Sequence, residues 1–323
     1  MSSDADQIVD RRMLRRKLTF WRAVGVLAVV AALIVAVVSI SRTVLPTHLD
    51  HVARVPIGGL IRNDRARVEM LDRIRESNAQ AVILSINSPG GTITGSEQLY
   101  DALRRLAEKK PVVAVVEGMA ASGAYIAAMG ADHIIARRNG LVGSVGVLYQ
   151  FPNVTGLLKT VGVSVEEIKS SPLKAEPNPF TVTPPGAREA IDSLVKDSYA
   201  WFRDLVGERR NLSGAELDLV ADGRVFTGHQ GVALRLVDQI GDERTARAWL
   251  AANKGIPEDL RVRTWRTDSF DSQFGWMSAA LSGAFSAMGL PQVGTLLGGH
   301  AQAALDRSQL DGLLALWHPQ AEQ

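Results

Sequence analysis

PVVAVVEGMAASGAYIAAM, residues 111–129, passes from an unbroken apolar run, through one serine among glycine and alanine, into a second small-residue run. In the strand expected over 112–118, residues 112–116 are apolar at successive positions, the pattern of a strand buried on both faces of a parallel sheet. The run after Ser122 reads as a tightly packed helix, which puts Ser122 at a strand-to-helix junction. Two readings stay open there. Serine at a helix start is ordinarily an N-cap. The first helical N–H groups are also unpaired, and the dipole favours negative charge beside them. A nucleophile that must stabilise an oxyanion needs those conditions.

Working outward, the same unit recurs. VEMLDRIRES (68–77) has helical spacing, and AQAVILSIN (79–87) is a second buried strand. The loop SPGG (88–91) follows, then a helix through GSEQLYDALRRLAEKK with Leu99, Leu103 and Leu106 on one side. Downstream come HIIARR (133–138), GLVGSVGVLYQ (140–150), an amphipathic helix over 188–210, and a short strand, capped helix and turn over 223–242. Strands alternating with helical runs predict an α/β fold with mainly parallel strands. INSPGG (86–91) is neither a Walker loop nor a dinucleotide fingerprint. Its backbone N–H groups could face an anion or a peptide carbonyl.

Composition narrows the chemistry. The chain has 323 residues, a formal net charge of +2 and no cysteine, which excludes disulfides, thiolate zinc sites and a cysteine nucleophile. No basic stripe, metal-ligand spacing or cofactor motif is present, so nucleic acid, metal and cofactor are not expected. RRMLRRK (11–17) precedes AVGVLAVVAALIVAVVSI (23–40), an uncharged run of 18 residues, long enough to cross a bilayer core. The expected order is a cytoplasmic basic segment (1–22), a transmembrane anchor in contact with lipid (23–40), a linker (41–55), a catalytic domain (56–260) and an apolar extension (261–323). The basic flank predicts an exported catalytic domain. Residues 272–305 carry no Asp, Glu, Lys or Arg, and read either as an interfacial or packed helical hairpin or as a buried subdomain.

A nucleophilic serine needs a base. His48 and His51 lie in the linker, His300 and His318 in the extension, His133 opens a strand and His229 starts a helix, so no Ser/His/Asp order emerges. Lysine can take that place when it is neutral. EEIKSSPLKAEPNPF (166–180) offers Lys169 and Lys174, and spacing alone does not choose between them.

INSPGG (86–91), GMAASGAYIAAMGAD (118–132), GLVGSVGV (140–147), IKSSPLKAEPNPF (168–180) and GRVFTGHQGVALRLVDQIG (223–241) occur in that order. Together they resemble the signal peptide peptidase A family, bacterial membrane-anchored serine–lysine proteases of the Clp protease/crotonase fold. The resemblance implies a superhelix of repeated strand–strand–helix units. It implies Ser122 as nucleophile, Lys174 as general base, Ser144 orienting the lysine, and an oxyanion hole from the N–H groups of Gly91 and Gly123. Ser171, Pro172 and Leu173 depart from the family's usual residues before that lysine, which keeps Lys169 as the fallback base. Also implied are a homo-oligomeric ring and placement in the bacterial inner membrane with the catalytic domain on the periplasmic or extracellular side. The substrates implied are hydrophobic peptides such as signal-peptide remnants. The alternative on the same fold is a crotonase-type acyl-CoA enzyme, which would need Glu97 or Glu117 as its acid/base.

Overall fold

Val82, Leu84 and Ile86 of one strand pack into one apolar cluster while Ala81 and Ile83 between them pack into another. That alternation is what a strand covered on both faces requires. The computed structural model describes residues 49–267 and 313–316, with Trp21, Arg22, Gly25, Val26 and Val30 besides. In chain order the first half contains β1 (His51–Ile61), α1 (Arg65–Glu76), β2 (Ala79–Thr92), α2 (Ile93–Ala107), β3 (Val112–Ala121), α3 (Gly123–Met129) and β4 (His133–Ala136). Next come β5 (Leu141–Gly143), β6 (Leu148–Tyr149), α4 (Thr155–Val161), α5 (Pro185–Arg210) and α6 (Gly214–Val220). The remainder is β7 (Val225–Thr227), α7 (Gly228–Ala233), β8 (Gln239–Ile240), α8 (Glu243–Lys254), β9 (Val262–Thr264) and β10 (Leu313–Leu316).

The parallel layer runs β9–β1–β2–β3–β4–β8. Residues of α1, α2, α3 and α5 fill the cluster on one face, and Ala246 and Leu250 of α8 close the other. Arg54 of β1 ties that second layer down through Glu243, with Nη2 to Oε1 at 2.5 Å. α3 is buried along its whole length, and the Tyr125 hydroxyl donates to the Leu236 carbonyl at 2.8 Å.

Several boundaries differ from the sequence reading. The linker was expected to reach residue 55, yet β1 begins at His51. Pro56, Gly58 and Gly59 interrupt its apolar pattern, and proline inside a run argues against a strand. The extension was expected from residue 261. Instead β9 pairs with β1, and Trp265 donates its backbone N–H to Arg54 O at 2.8 Å, so the folded unit runs past that point. SPGG is not a loop but the end of β2. Through β4, single strands alternate with helices, in place of strand pairs. Among the described residues no helix is long and apolar enough to cross a membrane. The expected anchor and basic segment lie almost wholly outside the described residues, and the 272–305 run entirely so.

Gly91 shows why β2 ends in glycines. Its register partner is Ile61, and a Cβ built on it would stand 1.8 Å from the Ile61 carbonyl oxygen. Backbone between two paired strands has no room to yield. Gly91→Ala is therefore expected to destabilise the fold by about 1–3 kcal/mol or more, measured by denaturant unfolding, whatever its effect on activity.

Candidate active site

The candidate site forms where β2 and β3 part. They pair in parallel from Val82↔Val112 to Ser88↔Ala120, with a register shift after Ile86. Beyond it β3 turns to pair with β5, while β1 stays on the far edge of β2 through Ile61↔Gly91. The edge of Gly90–Thr92 that faces β3 is thus open to another strand. A crevice beyond the carboxyl ends of diverging parallel strands is the usual ligand position in an open α/β sheet.

Ser122 follows the last residue of β3, at the head of that crevice. Its φ of 56° and ψ of −120° are unlike the extended backbone of an N-cap, and its side chain makes no capping hydrogen bond. The N-cap reading is therefore excluded. The conformation is held from both sides. Ser122 N–H donates to Gly143 O at 2.7 Å, and Ser122 O accepts from Tyr125 N–H at 2.9 Å and Ile126 N–H at 3.1 Å. A positive φ at a non-glycine residue costs of order 1–3 kcal/mol and persists only where its surroundings fix it. Sharp strand-to-helix turns of this kind present a nucleophile at the top of a sheet.

Ser144 is placed by the same device. Ala121 pairs with Gly143, so the two serines each follow one member of a register pair. Ser144 also has a positive φ, 54°, and its N–H donates to Arg224 O at 2.8 Å. Gly143 itself sits at φ 94°, which a side chain would strain. Gly91, Ser122, Gly123 and Ser144 therefore lie at neighbouring strand ends.

Lys174 stands apart. It is exposed, in a turn where its N–H donates to Ser171 O at 3.1 Å. Among the described residues no hydrogen bond or ion pair links its side chain to Ser122 or Ser144. The turn belongs to an arm spanning roughly 150–183. α4 within it has no buried residue, and Leu157, Val161, Val163, Ile168, Leu173 and Val182 are exposed, Ile168 completely. Val154 N–H donating to Pro179 O at 2.9 Å closes the arm at its base.

Lys169 is held in a different state. Its Nζ lies 2.5 Å from Glu167 Oε2 and 2.6 Å from Glu176 Oε1. Those contacts, Glu167 first, push its pKa above the ordinary lysine value, so it keeps its proton at neutral pH. Both partners belong to the same arm as Lys169, so its amine is engaged by carboxylates and makes no hydrogen bond to Ser122 or Ser144 among the described residues.

Among the described residues, no histidine hydrogen-bonds to Ser122. His133 pairs with Val113 at the opposite end of β3, roughly 30 Å of strand from Ser122 at ~3.3 Å per residue. There it stacks on Trp249 with centroids 4.5 Å apart. His51, at the start of β1, accepts from Trp265 Nε1 at 3.2 Å. His229 is exposed on α7. His48, His300 and His318 lie outside the described residues. The carboxylates that the acyl-CoA alternative would need are no better placed. Glu97 is exposed on α2, and Glu117 is engaged by Arg137 Nη2 at 3.1 Å. No cluster fit to hold a metal ion occurs among the described residues.

One occupant of the crevice was not foreseen. β10 pairs antiparallel with β2 through Leu314↔Thr92, Ala315↔Gly91 and Leu316↔Gly90, and on its other side with β6. Since β1 holds one edge of Gly91, β10 takes the edge toward β3, and it lies against α3, whose first residue follows Ser122. Its signal in sequence was only a five-residue apolar run after Gly312.

Comparison with known proteins fits this arrangement. The model of "Peptidase family S49" matches residues 104–257, and that of "Clp protease" matches 65–142. A Synechocystis protein named "Putative protease slr0021" is 37% identical over 210 residues, 64% of this chain and 76% of that protein. The chain belongs to peptidase family S49. "Protease 4" of Salmonella typhi is 30% identical over 242 residues, 71% of this chain and 38% of that protein. A protein of Enterococcus faecium named "Putative signal peptide peptidase SppA" is 30% identical over 217 residues, 67% of this chain and 63% of that protein. The S49 chain thus spans well under half of its Salmonella relative. It is a serine peptidase of the signal peptide peptidase A family, with a mixed α/β, Clp-protease-like fold.

Proposed function

We propose that this S49 chain hydrolyses extended hydrophobic peptides, including signal-peptide remnants, with Ser122 as nucleophile and Lys174 as general base. Neutral Lys174 Nζ takes the Ser122 proton as Oγ bonds to the scissile carbonyl carbon. The resulting oxyanion accepts hydrogen bonds from Gly91 and Gly123 N–H. The peptide C–N bond then breaks, the leaving amine takes the proton from Lys174, and water hydrolyses the acyl ester with Lys174 again as base. Ser144 orients the lysine. The observation that carries this reading is the seat of β10: an extended LLAL segment is hydrogen-bonded along Gly90–Thr92, beside the helix that Ser122 heads. A peptide substrate would bind by the same strand addition, with affinity from backbone hydrogen bonds.

The exposed apolar arm supports assembly. A contiguous surface of that kind marks an interaction site. In this reading the arm of one copy packs on the next in a closed ring and delivers its Lys174 to the neighbour's Ser122. The basic flank and apolar run of residues 11–40 support anchoring in the bacterial inner membrane, with the catalytic unit on the exported side. Hydrolysis of a fluorogenic peptide with an apolar core, by the wild type against the Ser122→Ala variant, tests the reading.

Because the chain's own segment fills the substrate edge, it competes with substrate at the high effective concentration of a tethered ligand. A chain ending at residue 312 is expected to have a KM for such peptides about tenfold lower, with kcat little changed. An unchanged KM would mean that the segment does not compete for this edge.

A further inference from the structure

We infer that Lys169 is a positioning residue, clasping the two ends of the turn that presents Lys174; this rests on the reading of Lys174 as base. The turn has little else to hold it. Around Lys174 every residue from 170 to 175 is exposed, and the backbone bonds within it are Lys174 N–H to Ser171 O and Glu176 N–H to Leu173 O at 3.3 Å. A segment with few buried contacts lies at the low-stability end of a fold. A base that swings through many positions loses the near-attack geometry on which rate depends.

The clasp supplies what the turn lacks. Lys169 enters it and Glu176 leaves it, and Nζ to Oε1 at 2.6 Å joins them across seven residues. Glu176 is 7% exposed at its side chain, so its charge is largely withdrawn from water. Asn178 extends the knot: Nδ2 donates to Glu176 Oε1 at 3.0 Å and to Glu167 Oε2 at 3.4 Å. Its Oδ1 accepts from the N–H groups of Phe180 at 2.8 Å and Thr181 at 3.0 Å. Residues 167, 169, 176, 178, 180 and 181 thus form one hydrogen-bonded unit, and Lys174 projects from the turn it encloses.

The pairing keeps Glu176 below the usual carboxylate range, with Lys169 the main cause, and keeps Lys169 above the usual amine range. The lowered carboxylate contributes stability at pH above its unfolded pKa and loses it as pH falls through the folded value. The raised amine contributes below its unfolded pKa and loses it as pH rises through the folded one. Both conditions hold across neutral pH, so the clasp stays closed there. Removing the cation alone leaves two carboxylates facing each other, one of them buried.

The test compares Lys169→Met, Lys169→Arg, Glu167→Gln and Lys174→Ala in the full-length protein, by steady-state hydrolysis of one apolar fluorogenic peptide, melting temperature and oligomeric state. Lys169→Met is expected to lower kcat about 10- to 100-fold with KM within about twofold. Lys169→Arg, which can still bridge both carboxylates, should recover kcat to within about threefold. Glu167→Gln weakens one arm of the clasp and should give an intermediate kcat, which keeps the inference testable should Lys169→Met not fold. Wild-type kcat in folded Lys169→Met, or in Glu167→Gln where Lys169→Met does not fold, would overturn the clasp, with Lys174→Ala inactive. Equal losses in kcat, melting temperature and assembly without rescue by arginine would also overturn it, in favour of a general structural role. Wild-type activity in Lys174→Ala would instead overturn the reading of the base.

Discussion

Ser122→Ala is expected to lower peptide hydrolysis by on the order of 10⁴-fold or more while leaving the fold as stable as the wild type. The two halves of that result have separate causes. Catalysis fails because alanine carries no hydroxyl oxygen to bond to the scissile carbonyl carbon. Stability holds because the Ser122 hydroxyl makes no capping bond whose loss would strand a buried partner. An N-cap serine would behave in the opposite way, costing about 1 kcal/mol of stability with no effect on turnover. Ser122→Gly sharpens the contrast. Glycine adopts φ 56° without steric cost, so relief of the strained backbone should stabilise this variant relative to Ser122→Ala, by about 1 kcal/mol. It should be just as inactive. Denaturant unfolding and a peptide assay on the three proteins decide the matter; activity in Ser122→Ala within tenfold of wild type would refute the nucleophile.

Much of the frame was legible in the sequence, because a strand covered on both faces must be apolar at nearly every position. That is why 79–87 and 112–118 could be placed from their side chains alone, and why the helices between them followed. β1 was hidden for the converse reason: Pro56, Gly58 and Gly59 break the pattern, and only its register with β2 and β9 makes it a strand. SPGG looked like a loop because glycine and proline punctuate loops. Here the glycines let β1 approach closely, as the 1.8 Å gap at Gly91 shows.

The candidate site was legible as a set of residue types but not as a geometry. Nothing in MAASG states that Ser122 takes a positive φ, since that depends on Gly143, a residue twenty-one positions later, accepting its N–H. Lys169 and Lys174 could not be separated by spacing. The ion-pair partners of Lys169, Glu167 and Glu176, were visible in EEIKSSPLKAE, but which lysine they would engage was not. β10 was the least legible, because a five-residue apolar run carries no information about which strand edge it will find.

Mixing two inactive variants should restore activity. Ser122→Ala retains Lys174 and Lys174→Ala retains Ser122, so each alone lacks one member of every dyad. The arm that carries Lys174 exposes Val161, Ile168 and Leu173 and has no cover of its own. Burying that face against a second copy gains of order 25 cal/mol for each Å² of apolar surface removed from water. If the covering copy also supplies the serine, an active site needs an intact serine on one chain and an intact lysine on the next. In a ring assembled at random from equal amounts, half of the chains keep the serine and half of their neighbours keep the lysine, so about a quarter of the wild-type activity returns. Dissociating the two proteins, mixing and reassembling them should produce that level, while either protein taken through the same treatment alone stays inactive. A dyad contained within one chain predicts no recovery at any mixing ratio, so the yield of the mixed ring distinguishes a site built between copies from a site built within one.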